Sequence, residues 1–250
     1  MFTKFDPRGE TDPPGVKNPY WEEVRKFPGD DLQLKFYGGW QPVRSSLEVD
    51  MARKIADNDY TIDFANVVSW REQCVRQYAW AITNPGAVEF VAAQSGGAIV
   101  EIGAGTGYWA WQLAQRGIDV VAYDINPPDR EPNGWHNSRI DEEAYEEHGV
   151  GFEPRPLFYP VLKAETDVAK VHSDRTLFLC WPPYDSSMAY DALTAYEGDR
   201  VIYIGEENGC TADHDFREEL EKHWEEANLH PVAAWSMIND MIFVYDRVSI

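Results

Sequence analysis

Val100-Glu-Ile-Gly-Ala-Gly-Thr-Gly107 is the stretch on which the reading of this chain turns. It begins inside a short apolar strand, Ala98-Ile-Val-Glu-Ile102, and runs into a segment, 106–116, that reads as helix. Between them stand three glycines on alternate positions. Without a Cβ, each lets the backbone turn tightly and come close to a ligand. The amide-rich N-terminus of the following helix points at the same place. A strand that enters a helix through such a bend opens an α/β unit. In such units a ligand lies across the C-terminal ends of the first strands, at the switch point of the sheet.

The pattern stays regular downstream. Asp119-Val-Val-Ala-Tyr123 reads as a second strand, followed by a polar loop with Pro127, Pro128, Pro132 and Gly134 and an acidic helix near 141–148. A third strand is expected over 158–162, weakened by Pro160. Thr176-Leu-Phe-Leu-Cys-Trp181 is the fourth strand, 186–196 a helix, and 200–204 the fifth strand. An amphipathic helix is expected over 216–228, then a terminal pair of strands at 232–235 and 241–245. Strands alternating with helices imply a mostly parallel sheet covered on both faces.

Upstream, Asn84-Pro85 opens a helix that ends near Ser95-Gly-Gly97. Two further helices are expected, at 47–58 and 62–83, the second with Phe64, Val67, Val68, Val75 and Tyr78 on one face. The first forty residues are irregular and rich in Pro, Gly and aromatics. The chain therefore divides into an N-terminal extension, 1–83, and a ligand-binding domain, 84–250. Tyr20, Trp21, Tyr37 and Trp40 are candidates for a lid over the substrate.

Composition narrows the function. With 250 residues, 44% of them hydrophobic, the chain can build a sizeable core. Forty-three acids against 22 bases give a net charge of −21, which repels a polyanion and argues against nucleic acid as partner. No apolar run reaches membrane-spanning length, and Met1-Phe-Thr-Lys-Phe-Asp-Pro-Arg8 has no signal-peptide core, so a cytoplasmic location is expected. Cys74, Cys180 and Cys210 form no metal-binding spacing. Asp213-His214-Asp215 sits at a helix start, where acids are favoured anyway, so no metal is expected.

The glycine pattern also selects the ligand. The dinucleotide fingerprint G-x-G-x-x-G fails at Tyr108, while Glu101 stands two residues before Gly103. This string resembles the first motif of class I S-adenosylmethionine-dependent methyltransferases, (D/E)-x-G-x-G-x-G. The resemblance implies a three-layer Rossmann-like fold with a seven-stranded, mostly parallel sheet whose last strand is antiparallel, preceded here by the N-terminal irregular and helical extension. It implies S-adenosylmethionine as cofactor, with Glu101 at its amino-acid end and Gly103, Ala104, Gly105 and Gly107 lining it. Asp124, at the end of the second strand, would accept hydrogen bonds from both ribose hydroxyls, and Ile125 would flank the adenine.

Cys180-Trp-Pro-Pro-Tyr-Asp185 ends the fourth strand where many members of that family carry (N/D/S)-P-P-(Y/F/W) beside the reacting methyl group. By that likeness Cys180 and Trp181 border the cofactor and Tyr184 the acceptor. Trp181 departs from the pattern: indole has a donor and no acceptor, unlike the amide or carboxylate used in amine methylation. Asp185 is read as a base or as the cap of the next helix, and Glu206 or Glu207 as the general base. The expected activity is methyl transfer to a small acceptor through O, N or S. Alternatives from the same motifs are a nucleobase methyltransferase, another S-adenosylmethionine-using enzyme, and a catalytically silent binding module.

Overall fold

Alternation along the central strands builds both faces of the sheet. In β1 (Ala98–Ile102) the side chain of Ile99 joins those of Phe178 and Ile202 on one face, while Val100 and Ile102 join Leu177 and Val201 on the other. Helices α3 (Pro85–Gln94) and α4 (Tyr108–Ala114) cover the first face through Val88, Val91, Ala110 and Leu113. Helices α6 (Met188–Ala195) and α7 (His214–His223) cover the second through Ala189, Leu193, Phe216 and Leu220. The acidic helix α5 (Glu142–His148), capped by Asp141, buries no residue and lies outside these layers. Each large apolar side chain buried in the core contributes roughly 1.5–3 kcal/mol. The result is three layers, helices on either side of one sheet.

The computed structural model describes residues 3–4, 7–25, 32–33, 36–37, 62–137, 139–207, 209–235 and 238–248, and of 3–4, 32–33, 36–37 and 62–69 the backbone alone. Strands β2 (Asp119–Asp124), β3 (Val161–Lys163), β4 (Thr176–Cys180), β5 (Arg200–Gly205), β6 (Trp224–Pro231) and β7 (Met241–Arg247) complete the sheet, in the order β3-β2-β1-β4-β5-β7-β6. The pairs β1–β2, β1–β4, β2–β3 and β4–β5 are parallel. Strand β7 runs antiparallel between β5 and β6. The order reverses between β1 and β4, which opens a crevice at their C-terminal ends. This is the Rossmann-like fold in its seven-stranded methyltransferase form.

Three expectations about these elements are corrected. The helix expected over 216–228 is α7 only as far as His223, and Trp224 begins β6. Glu225-Glu-Ala-Asn-Leu229 has good helix formers and no apolar alternation, because an edge strand exposed over most of its length buries no continuous face. Its backbone pairing with β7 overrides local preference. The strand expected at 232–235 is only Ala234–Trp235, and it pairs with Leu32–Gln33 outside the main sheet. The third strand lies at Val161–Lys163, beyond Pro160.

Helix α1 (Pro19–Val24) packs the N-terminal extension onto the domain. Its cap Asn18 bonds the carbonyl of Thr83 and accepts from the hydroxyls of Thr83 and Tyr108. Tyr20 and Trp21 are fully buried in a third cluster with Tyr78, Tyr108 and Trp235. They are core residues of this cluster, which removes them from the lid. The side chain of Tyr37, Trp40 and the helix expected at 47–58 lie outside the described residues. Helix α2 (Ile62–Gln77) stops six residues short of Thr83. There the chain is held by the glycine bend and α4 instead: Thr106 donates its hydroxyl to the Tyr78 carbonyl, and Trp109 Nε1 donates to the Ala81 carbonyl at 3.2 Å. Among the described residues no helix is long and apolar enough to cross a membrane.

Candidate functional site

The bend after β1 is fastened before any ligand is considered. The N–H groups of Gly103 and Ala104 both donate to the Tyr123 carbonyl, at 2.8 and 2.9 Å, which ties the bend to the end of β2. Gly103, Gly105 and Gly107 all have positive φ, at 77°, 54° and 72°. A Cβ on Gly103 would strike the Met188 methyl group, and one on Gly105 the His136 ring. On Gly107 it would lie 2.9 Å from the Tyr159 carbonyl oxygen. All three glycines therefore already have a reason within the protein. Gly103 and Gly105 also face a cavity of about 580 Å³ at the switch point, while Gly107 and Ala104 lie behind it.

Asp124 crosses from β2 to the bend. Its Oδ2 accepts from the N–H of Gly105 at 2.8 Å and its Oδ1 from that of Asn126 at 2.9 Å. Each oxygen keeps a second lone pair, and the residue lines the cavity. Burial raises its carboxyl above the usual range, and the two backbone hydrogen bonds oppose that rise. Ile125 lies beside it at the mouth, 51% exposed.

Glu101 lies deeper, 2% exposed and not itself on the cavity wall. Burial pushes its carboxyl up to about 8, with the Ala110 backbone drawing it part of the way down and the Asp124 charge adding to the rise. Its Oε2 is buried without a hydrogen-bond partner. Such an orphan costs roughly 1–3 kcal/mol unless a partner arrives. Burial likewise raises the Cys180 thiol, with the Glu101 and Asp240 charges adding to it. Cys180 and Trp181 both line the cavity.

The far wall is aromatic. Trp181 has a positive φ of 55°, unusual for a bulky side chain and a mark of a position held by its surroundings. Its ring stacks on Trp80 at 4.7 Å with 17° between planes, and its Nε1 donates to Asp240 Oδ1 at 2.8 Å. Trp135 meets Trp80 edge-on at 5.4 Å. The Arg71 guanidinium lies 5.5 Å from the Trp80 ring centre and 6.0 Å from that of Trp181. Tyr184, 60% exposed, stands at the rim.

His136 lies buried at the cavity wall. Burial lowers its imidazole to about 4, so the ring is neutral at physiological pH. Nδ1 faces the Arg76 carbonyl at 3.4 Å, which assigns the proton there and leaves Nε2 bare toward Gly105.

The catalytic acids expected from sequence sit elsewhere. Glu206 accepts from the N–H of Cys210 through Oε2 and from that of Asn239 through Oε1, both at 2.8 Å, and does not line the cavity. This carboxylate fastens two loops away from the cavity wall, where a bound acceptor would not meet it. Asp185 is exposed and off the wall. It does not cap α6 either, since Ser187 is the cap position and Ser186 Oγ accepts from Met188. Glu207 is also off the wall. The carboxyl groups that do line the cavity are Asp124, Glu165 and Asp191. Asp213 caps α7, accepting from Phe216 at 2.9 Å, and among the described residues no three His, Cys, Asp or Glu side chains gather as a metal site.

Arg71, Trp80, Trp135 and Glu165 are not among the site residues expected from sequence. Arg71 and Trp80 come from the extension and from a stretch expected to be helix, so no local signal marked them. Asn133-Gly-Trp-His-Asn137 did carry one: Asn133 and Asn137 hold their own loop, with Asn137 Oδ1 accepting from the Asn133 N–H at 2.7 Å.

The class defined by the strand order and bend is the seven-stranded, Rossmann-like methyltransferase fold. No protein-family model matches the chain, and no curated protein sequence matches it. Solved structures similar in part include magnesium protoporphyrin IX methyltransferase from Synechocystis PCC 6803 with bound SAH: 17% identity, 65% of this chain and 82% of that one, TM-score 0.39. Thermoplasma acidophilum protein 1320 is 18% identical over 74% of this chain and 98% of its own, with TM-score 0.45. TrmN from Thermus thermophilus is 15% identical over 65% of this chain and 48% of its own, with TM-score 0.40.

Proposed function

We propose that the chain is an S-adenosylmethionine-dependent methyltransferase acting on a small-molecule acceptor. The observation that carries this reading is the meeting of the Gly105 backbone and the Asp124 carboxylate at the wall of one cavity, at the point where strand order reverses. The donor set fits such a ligand. Asp124 keeps acceptor capacity for ribose hydroxyls, and the orphaned Glu101 oxygen suits an ammonium group. The aromatic wall suits a sulfonium, an attraction worth roughly 0.5–2 kcal/mol.

S-adenosylmethionine held by the glycine bend and Asp124 would supply an electrophilic methyl group to the acceptor's nucleophile. The chain's own work is positioning. The glycine bend and Asp124 hold the nucleoside, and Trp181 and Tyr184 border the acceptor space. Holding reactants in line supplies much of the rate in such reactions. Among the described residues Arg71 is the only Lys or Arg on the wall, which supports a small acceptor over a nucleic acid.

Calorimetric titration with S-adenosylmethionine and, separately, NAD tests the reading. Binding of the first alone is expected; binding of NAD alone overturns it. Methyl-labelled S-adenosylmethionine incubated with acceptor mixtures then separates methyl transfer from cleavage of the molecule.

A further inference from the structure

Arg71 is a cation with an unfinished environment. Its Nε is buried without a hydrogen-bond partner, and no carboxylate of the described residues pairs with it. The guanidinium is held by the faces of Trp80 and Trp181 and lines the cavity. In a chain of net charge −21, where acids are plentiful, a cavity base that forms an ion pair with none of the described residues is set apart for another anion. Guanidinium presents donors in a planar fork that matches a carboxylate two-on-two.

The surroundings describe the rest of that anion's molecule. Trp135, half exposed, and Tyr184 stand with Trp80 and Trp181 on the same cavity wall, and Ile125 is exposed at the mouth. Flat, polarisable walls of this kind take flat rings. One fork, with no second Lys or Arg among the wall residues, balances a single negative charge better than a phosphate dianion.

We propose that Arg71 and the indoles of Trp80, Trp135 and Trp181 form an acceptor subsite for an aromatic carboxylic acid, Arg71 taking the carboxylate and the indoles the ring. This rests on the methyltransferase reading, because it places the acceptor beside the nucleoside cavity. It adds the acceptor's class.

The experiment uses the full chain saturated with S-adenosylhomocysteine and follows tryptophan fluorescence during titration with 4-hydroxybenzoate and caffeate, and with their neutral amides. The acids are expected to bind about 10- to 100-fold more tightly than the amides, the range for charge-assisted hydrogen bonds. Arg71→Gln should erase that difference and Arg71→Lys should keep part of it. Equal binding of acids and amides, or a Gln variant that weakens both alike, overturns the subsite. So does failure of every acid to bind. Titration of the same variants with S-adenosylhomocysteine alone keeps the two readings apart: loss of nucleoside binding in the parent chain sinks the cofactor reading, whereas intact nucleoside binding with no preference for acids sinks the subsite only.

Discussion

The Oδ2 of Asp124 accepts from the backbone N–H of Gly105 at 2.8 Å, so the end of β2 and the bend after β1 form one rigid piece at the cavity wall. Its Oδ1 fastens Asn126 in the same way. Asp124→Ala removes both bonds and leaves two backbone donors short of partners. A stability loss of about 1–3 kcal/mol is expected by denaturant unfolding, with weaker S-adenosylmethionine binding by calorimetry. Unchanged affinity in a folded variant removes Asp124 from the cofactor site.

Glu101 makes stability depend on pH. Its carboxyl ionises near 4.5 in the unfolded chain and near 8 in the folded one. Its folded-state pKa is raised, so the stability it contributes is complete below about 4.5 and is lost as pH rises through 8. In that window the ligand-free protein should lose up to about 1.4 kcal/mol per pH unit from this group. Glu101→Gln should flatten the decline in unfolding midpoints. An identical pH slope in the Gln variant would falsify the assignment.

The same carboxyl should report ligand binding. A cation placed at Glu101 favours its ionised form, so S-adenosylmethionine binding at pH 7 is expected to release a proton. Calorimetry in buffers of different ionisation enthalpy reads this directly, and Glu101→Gln should abolish it.

His136 acts on the acid side. Its folded-state pKa is depressed from 6.5 to about 4, so the stability it contributes is present above 6.5 and is lost as pH falls through 4. Replacement by Gln should flatten the acid limb of the unfolding curve between those values. A limb that stays equally steep assigns acid sensitivity to other groups.

Glycine substitutions separate backbone strain from collision. Gly117 has φ 82° and open space where a methyl group would stand, whereas a methyl on Gly107 meets the Tyr159 carbonyl at 2.9 Å. Gly117→Ala should cost about 1–2 kcal/mol, the left-handed backbone penalty alone. Gly107→Ala should cost more, measured by thermal unfolding. Equal costs mean that the 158–161 segment yields freely.

The strand-to-helix bend, the acid ending β2 and the alternation of strands with helices were legible in the residues themselves. Each depends on local chemistry: glycine at positive φ, apolar runs of strand length, an acid where a strand ends. The boundary at His223 was not, because the pairing of β6 with β7 outweighs the helical preference of Glu225-Glu-Ala. The placement of Glu206 and Asp185 off the cavity wall was not legible either, for a related reason. Sequence position put Glu206 on the loop after β5, but whether its oxygens face a cavity or bind backbone N–H groups depends on how Cys210 and Asn239 come around it.

What the sequence by itself determined is the layered α/β architecture and the glycine bend, since local conformational preference and hydrophobic period act between near neighbours in the chain. Only the tertiary structure decided what surrounds the cavity. Arg71 and Trp80, Trp135, and Trp181 come from three separate stretches, and their stacking depends on distances set by packing between elements.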